Sequence, residues 1–305
     1  MADNQSKKDS TTAEQRHAMG EKIESPARMA WKKFKKDKLG LFGLGLLIIV
    51  ALMAIFAPFI APNEPFATNI LHSNEPPSSD FWLGTDRVGR CIFSRMLYGG
   101  RISLTVGLIS MAISTVLGTT MGLLSGYIGG IVDVIIMRIV DIIRSVPFLV
   151  LAITIISVFG PGLYRLMVVI GILAWTGIAR IVRGNILSLR EREFIHASRA
   201  IGASKKRIML RHLLPNTLAP IFVHATLQVA SAIISEAGLS FLGLGVQPPL
   251  ASWGNMLNEA RNLAVLQDRP WFWIPPGIMI VLTVLSINFM GDALRDALDP
   301  KQQRE

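Results

Sequence analysis

Long uncharged apolar stretches alternate with short polar segments along most of this chain. About 20 consecutive apolar residues are enough for an α-helix to cross about 30 Å of bilayer hydrocarbon. The pattern therefore predicts an all-α membrane protein with six transmembrane helices. The predicted spans are about 39–60, 102–127, 145–160, 163–181, 217–242 and 273–290.

The positions of Lys and Arg predict the orientation of these spans. If the N-terminus lies inside, the inside segments hold 24 of the 31 Lys and Arg residues, as the positive-inside rule requires. These segments are 1–38, 125–145, 180–216 and 291–305. Both termini are therefore expected to be cytoplasmic.

The same pattern divides the chain into a basic N-terminal segment, 1–38, a transmembrane domain, 39–300, and a cytoplasmic tail, 301–305. Within the first segment, Trp31, Phe34 and the lysines between and beyond them indicate a short interfacial helix. Before residue 25 a disordered basic tail is the equal alternative.

Composition excludes several classes of protein. The chain is 51% hydrophobic and carries a net charge of +10, but its basic residues lie between apolar spans, so membrane topology explains them better than nucleic acid does. The single cysteine, Cys91, excludes an intrachain disulfide. No phosphate-binding G-x-x-x-x-G-K-[ST] loop, H-E-x-x-H or G-x-S-x-G motif occurs. We therefore expect no catalytic residue, metal site or cofactor in this chain.

Two groups of residues predict helix packing. Gly118, Gly122, Gly126 and Gly130 recur every four residues and would form a flat ridge that lets another helix approach closely, which we favour over a gating role. Further on, Asp133, Arg138, Asp141 and Arg144 follow one another. The last three are three apart, so we expect ion pairs along one helical face rather than a proton relay.

The fifth span contains Glu236, the one acid inside it, near its outer end. An intramembrane carboxylate is a candidate for the translocation path, and locking one helix to another is an equal alternative, since Ser235 and Ser240 are near. His224 is interpreted as a packing residue, because no metal-ligand spacing accompanies it.

The largest inside connection, 183–216, predicts two short helices. Residues 191–200 favour a helix that ends at Gly202, where glycine permits a turn. Ser204 is a candidate N-cap for a second helix, 205–214, which Pro215 would interrupt or kink. The resulting two-helix knob, residues 193–214, would fit a groove on a cytoplasmic partner.

This connection resembles the E-A-A motif of ABC importer permeases, which continues with a glycine and ends in I-x-L-P. The matching positions are His196, Ala197, Ser198, Gly202, His212, Leu214 and Pro215. His196, Ser198 and His212 depart from the motif, whereas the glycine and the Leu-Pro end keep its spacing. The resemblance implies a coupling loop that contacts an ATPase.

A second resemblance covers most of the chain from about residue 30. Residues 83–95 are similar to the G-T-D-x-x-G-R-D-x-x-S-R signature of dipeptide and oligopeptide permeases, C-type subunit, with Cys91 in place of its second Asp. Further matches include 137–141, 239–245, 252–254 and 291–300. The two long loops predicted to lie outside, the first and second outer loops, are about 61–101 and 243–272, and the resemblance implies that 78–101 and 243–272 dock a binding protein. The docking candidates are Gly84, Thr85, Asp86, Arg90 and Trp253.

This resemblance also implies a type I importer permease fold and a five-part machine in the cytoplasmic (inner) membrane. Its expected partners are membrane lipid, a second homologous permease, two cytoplasmic ATPases that use ATP and Mg, and an extracytoplasmic peptide-binding protein. Peptides are the expected cargo, with nickel chelates or glutathione-like compounds as the alternative. A membrane enzyme using Asp141 and Glu236 is disfavoured, because the two lie at opposite ends of their spans; a stand-alone channel is disfavoured by the lack of midplane ionisable residues.

Overall fold

The computed structural model describes residues 26–298, and these are helical with connecting loops. In chain order the helices are α1 (Pro26–Phe34), α2 (Lys38–Ile55), α3 (Ala57–Ile60), α4 (Ile92–Ile128), α5 (Gly130–Ser145), α6 (Phe148–Phe159), α7 (Leu163–Leu189), α8 (Glu193–Ala200), α9 (Lys205–Arg207), α10 (Leu214–Phe241), α11 (Trp253–Leu257), α12 (Leu263–Asp268) and α13 (Ile274–Leu298). A π-helix, Ile208–Leu213, joins α9 to α10, and 3₁₀ turns lie at Ile70–His72, Asn258–Arg261 and Pro270–Phe272.

Within this described part, five helices are long and apolar enough to cross a membrane. They are α2, α4, α7, the continuous helix Lys205–Phe241, and α13. They overlap five of the six predicted spans and confirm the all-α membrane class. The cytoplasmic location of both termini stays a prediction, and the predicted tail 301–305 lies outside the described residues.

The predicted third span, 145–160, is not one continuous transmembrane helix. Helix α6 has 12 residues, about 18 Å at 1.5 Å per residue, which is too short to cross the hydrocarbon alone. Helices α5 and α6 bend by 91° at a break, and together they could form a sixth span. The break follows from Pro147, which holds Val146 in an extended conformation and cannot donate a helical hydrogen bond. A count of six spans therefore stays a prediction.

The predicted glycine ridge is confirmed along α4, where it packs against α7. A Cβ built at Gly118 would lie 2.6 Å from the carbonyl oxygen of Trp175, and one at Gly122 would lie 2.6 Å from that of Ala179. Backbone thus meets backbone, as small residues allow in membrane helix pairs. Gly130 is not part of this ridge, because nothing lies within 4 Å of its built Cβ.

The acids of α5 are paired, but not with the arginines of their own helix as expected. Asp133 accepts two hydrogen bonds from Arg183 on α7, each 2.6 Å long, and Asp141 accepts one from Arg180 on the same helix. The expectation of pairs along one face was wrong because α7 lies close enough to present its own guanidinium groups. The bidentate pair between Arg183 and Asp133 also has better hydrogen-bond geometry than an ion pair between residues three apart on one helix.

The interfacial helix expected around Trp31 and Phe34 is present as α1. Trp31 stacks on Phe34, with the ring centroids 5.7 Å apart. Phe34 is buried with Ala293 and Ala297 of α13. Lys32 lies exposed and Lys33 is half-buried, so α1 is amphipathic, and through Phe34 it joins the two ends of the described chain. The alternative of a disordered tail concerns residues before 25, which lie outside the described residues.

Replacing Gly118 with Ala is expected to separate α4 from α7. The new Cβ would lie 1.8 Å from Cγ2 of Ile178 and 2.6 Å from a backbone oxygen, and overpacking of this kind costs about 1–3 kcal/mol. The midpoint of thermal unfolding in detergent should therefore fall. Gly184→Ala on α7 is the matched control, since no atom lies within 4 Å of its built Cβ and Ala favours a helix. Equal midpoints for the two variants would contradict this packing.

Candidate functional site

The segment resembling the G-T-D signature forms a turn inside the first outer loop. Thr85 is fully buried, and its Oγ1 accepts a hydrogen bond from the backbone N–H of Glu75 at 2.9 Å. Asp86 is also buried and accepts from Arg90 Nε at 2.6 Å. Gly84 has φ of +71°, the left-handed region that favours glycine, and the carbonyl oxygen of Glu75 lies 2.5 Å from its built Cβ.

Trp253 holds the second outer loop against the first residues of α4. Its side chain is fully buried, and its Nε1–H donates to the carbonyl oxygen of Met96 at 3.0 Å. A Cβ at Gly100 would lie 3.0 Å from the indole ring, so the glycine makes room for it. The docking candidates are thus part of the framework of the outer loops, and their role in docking stays a prediction.

Apolar side chains exposed on the same loop are the better candidates for a docking surface. Ile70 and Leu71, in a 3₁₀ turn, are 80% and 90% exposed, and Trp82 is also exposed. They were not among the predicted docking residues, because the family signature lies elsewhere in the loop, at 83–95. A signal was available, since adjacent large apolar residues in a polar loop outside the spans need a covering partner.

Glu236 on α10 is fully buried and accepts hydrogen bonds from three serines. Ser103 on α4 donates to its Oε2 at 3.0 Å. Ser240, one turn further along α10, and Ser252 of the second outer loop donate to Oε1 at 2.7 Å each. Ser103 Oγ also accepts from the backbone N–H of Trp253 at 3.2 Å. The carboxylate therefore connects two spans and one outer loop.

These contacts favour one of the two roles expected for Glu236. A buried carboxylate with three hydroxyl donors locks the elements that carry them, because removing any partner leaves a polar group without water or a hydrogen bond. The same serine hydroxyls accept from backbone N–H groups, so the network continues into the loop. The place of Glu236 on the translocation path stays a prediction.

A cavity of about 460 Å³, lined by both apolar and polar residues, lies between α7, α10 and the break that separates α5 from α6, and it is called the polar cavity after its His, Arg, Gln and Ser residues. Four of its lining residues lie on one face of α10, at intervals of four, three and four residues: His224, Gln228, Ser231 and Ser235. His224 thus lines the cavity, although the sequence indicated a packing role for it. The helical spacing of these four polar residues inside an apolar span was the signal that sequence analysis missed.

Thr176 of α7 and Arg144, the last but one residue of α5, complete the polar lining of this cavity. Arg144 Nη1 lies 3.9 Å from the Cβ built at Gly177 on α7, and His224 Nε2 lies 3.4 Å from the same point. Because Gly177 has no side chain, Arg144 Nη1 and His224 Nε2 both border the space that a Cβ there would occupy. The expected ion pair between Arg144 and Asp141 does not form, since Asp141 is paired with α7.

The two-helix knob is present, and its turn is formed as expected. Helix α8 ends before Gly202, whose φ is +79°, and the Ser204 side chain accepts from the N–H of Arg207 at 3.4 Å as the N-cap. Pro215 does not interrupt the second helix, because the chain stays helical from Lys205 to Phe241, with Pro215 as the second residue of α10. The irregularity in this helix is the preceding π-helix, Ile208–Leu213, where the hydrogen bonds span one residue more than in an α-helix.

The residues matched to the coupling motif divide between the knob's surface and its base. His196, Ala197, Gly202 and Pro215 are exposed, His212 and Leu214 are half-buried, and Ser198 is buried. The most exposed apolar side chain of the knob is Ile201, at 85%. The motif comparison did not single it out.

Buried apolar contacts fasten the knob to the ends of three long helices. Ile195, Ile208 and Leu213 are buried in a cluster that also contains Leu123 of α4 and Ile186 of α7. In addition, Arg199 lies over the ring of Tyr127, at 5.5 Å from its centroid. The knob therefore packs as one unit with α4, α7 and α10, and the last two line the polar cavity.

Comparison with known proteins gives consistent matches over most of the chain. Residues 118–304 match the family described as binding-protein-dependent transport system inner membrane component, and residues 25–77 match the N-terminal TM domain of oligopeptide transport permease C. The dipeptide transport system permease protein of Alkalihalophilus pseudofirmus is 44% identical, covering 92% of this chain and 91% of that protein.

Two further matches agree with these. The oligopeptide transport system permease protein of Bacillus subtilis is 41% identical, over 93% of this chain and 94% of its own length. Among solved structures, the MetNI methionine ABC transporter in an inward-facing conformation aligns with a TM-score of 0.54 and 24% identity. That match covers 67% of this chain and 96% of the solved one, and it supports the fold.

Replacing Glu236 tests whether it locks the helices. Glu236→Leu leaves three buried hydroxyls without their acceptor, at about 1–3 kcal/mol for each unsatisfied group, so the midpoint of unfolding in detergent should fall strongly. Glu236→Gln keeps one acceptor oxygen, so its midpoint of unfolding should lie between those of the wild type and Glu236→Leu. Thr226→Val is the control, because this hydroxyl on α10 donates to its own helix. An unchanged midpoint with slower transport in Glu236→Gln would instead place the carboxylate on the path.

Proposed function

The chain belongs to the family of binding-protein-dependent transport system inner membrane components, and from this premise we propose that it is the permease subunit of an ATP-driven peptide importer. The observation that carries the proposal is the polar cavity between α7, α10 and the α5–α6 break, which lies among membrane-spanning helices. The protein is a multi-pass protein of the inner membrane. It would pair with a second, homologous permease that supplies the other side of the passage.

Peptides are the cargo that the relatives and the cavity both favour. The relatives described above are named for dipeptide and oligopeptide transport. Gln228, Ser231 and Ser235 offer neutral hydrogen-bonding groups along one helix face, and a peptide backbone has one donor and one acceptor per residue to match them. The apolar part of the lining, including Phe148, Leu151 and Leu173, would accommodate side chains without a specific partner.

Energy would reach the cavity through the two-helix knob. We assign the exposed surface around Ile201 and Gly202 to a groove on a cytoplasmic ATPase, with ATP and Mg bound by that partner. The knob packs on α4, α7 and α10 as one unit, so a displacement of the knob displaces two walls of the cavity. Closure of the ATPases would favour one arrangement of the helices around the cavity, and reopening of the ATPases would favour the other. The helices would thus act as a two-state element whose equilibrium is shifted from a distant site.

A binding protein would deliver the peptide to the opposite face. The exposed apolar residues Ile70, Leu71 and Trp82 are the proposed contact surface. The buried turn around Asp86, together with the ion pair between Arg87 and Glu259 at 2.8 Å, holds the two outer loops together beneath it. Docking there would act on α4 and α10 through the network around Glu236.

Uptake into proteoliposomes tests the function directly. The complex of this chain with its second permease and ATPases is reconstituted with internal ATP, and the binding protein is added outside. We expect radiolabelled trialanine to accumulate only when both ATP and binding protein are present. Uptake of a nickel chelate or glutathione, without uptake of di-, tri- or longer peptides, would overturn the assignment of peptides as cargo.

Ile201→Asp tests the proposed contact with the ATPase. Burying an isoleucine side chain contributes about 1.5–3 kcal/mol, so a charge at this position should lower ATPase binding at least about tenfold. Binding-protein-stimulated ATP hydrolysis should fall accordingly, while the permease pair stays assembled. Ile201→Leu is the control, because it keeps the apolar surface. Normal stimulated hydrolysis in the Asp variant would show that the knob docks elsewhere.

A further inference from the structure

Arg144 lies at the break in the third predicted span and differs from the two arginines of α7 that face α5. Arg180 and Arg183 are paired with Asp141 and Asp133. Within residues 26–298, no hydrogen bond or ion pair joins Arg144 to another side chain, and it lies exposed at the cavity. A charged side chain among membrane helices is costly unless it meets water or a counter-charge, so such residues mark substrate pathways.

The surroundings of Arg144 favour an anion as its counter-charge. The cavity lining contains no Asp or Glu, so the chain itself supplies no partner there. His224 Nε2 and Arg144 Nη1 both approach the space above Gly177, where one carboxylate could accept from the two nitrogen atoms. Hydrogen bonds from a guanidinium to a carboxylate are about twice as strong as those between neutral groups.

Further polar residues of the lining extend from this point along α10. From His224 to Ser235 the helix rises about 16 Å, at 1.5 Å per residue, and an extended peptide covers about 3.3–3.6 Å per residue. The stripe therefore matches the length of about four to five peptide residues. Its members beyond His224 are neutral, so the cavity offers a cation at one end and hydrogen-bonding groups along the rest.

We propose that Arg144, assisted by His224, binds the C-terminal carboxylate of the peptide during its passage, with the peptide backbone lying along Gln228, Ser231 and Ser235. This assignment rests on the proposed function as a peptide permease. It determines which end of the peptide binds there, because a cationic site in a cavity lined by no Asp or Glu attracts the carboxylate terminus and repels the ammonium terminus. A side-chain carboxylate of the peptide offers the same chemistry, and the test separates the two sources.

The experiment compares uptake of Ala-Ala-Ala with that of its C-terminal amide by the reconstituted complex. The same binding protein serves every permease variant, so its own preference cancels when ratios of acid to amide uptake are compared between variants. Arg144→Gln should lower this ratio about tenfold, as expected for the loss of one charge-assisted hydrogen bond, because uptake of the acid falls much more than uptake of the amide. Arg138→Gln is the matched control, since Arg138 is exposed on the same helix and does not line the cavity.

Two further measurements keep the test decisive. Arg144→Lys retains the charge but loses the forked geometry, so its ratio should lie between those of wild type and Arg144→Gln even if the latter assembles poorly. Wild-type uptake of Ala-Glu-Ala amide should resemble that of the uncharged amide. If the Glu side chain restores acid-like uptake that depends on Arg144, the C-terminal assignment is wrong.

The outcomes separate this inference from the proposed function. Wild-type complex that imports neither the acid nor the amide overturns the proposed function and the inference with it. Wild-type import with an unchanged ratio in Arg144→Gln, or an equal loss for both peptides, overturns the inference alone, because the residue then acts on structure or coupling and not on the carboxylate.

Discussion

Helices α4 and α7 approach so closely that their backbones touch at a row of glycines. The built Cβ positions of Gly118 and Gly122 lie within 2.6 Å of carbonyl oxygens on the partner helix, which leaves no room for any side chain. In hydrocarbon no hydrophobic effect draws helices together, so such close packing supplies the attraction. It also sets where α7 lies, and α7 then presents arginines to α5 and the bare backbone of Gly177 to the polar cavity.

The position of α7 also decides which charged side chains have partners. Three acids near or within the spans have partners on other segments: Asp133 and Asp141 meet arginines of α7, and Glu236 meets three serine hydroxyls. Since an unpaired ionised group inside a membrane is expensive, these contacts are the ones a stable bundle needs. Arg144 lies outside this scheme, at the wall of the cavity. The difference distinguishes charges that hold the helices together from the charge that is proposed to bind cargo.

The same helices connect the two faces of the protein. The knob packs on the inner ends predicted for α4, α7 and α10, while the network around Glu236 joins α4 and α10 to the second outer loop. The cavity lies between these two regions on walls that α7 and α10 provide. In the proposed importer, events at an ATPase and at a binding protein would therefore act on one set of packed helices and not through a flexible linker.

The sequence by itself determined the membrane class, five of the spans, the glycine ridge and the two-helix knob. Each of these depends on local properties: apolar length, helical spacing, or the backbone freedom of a residue such as Gly202. The tertiary structure alone decided which residues meet. Partners for Asp141 and Glu236 come from distant segments, the motif residue Trp253 is buried and not on the surface, and Arg144 reaches a cavity with residues of α7 and α10. Sequence spacing cannot supply such contacts, because they depend on how closely separate helices pack.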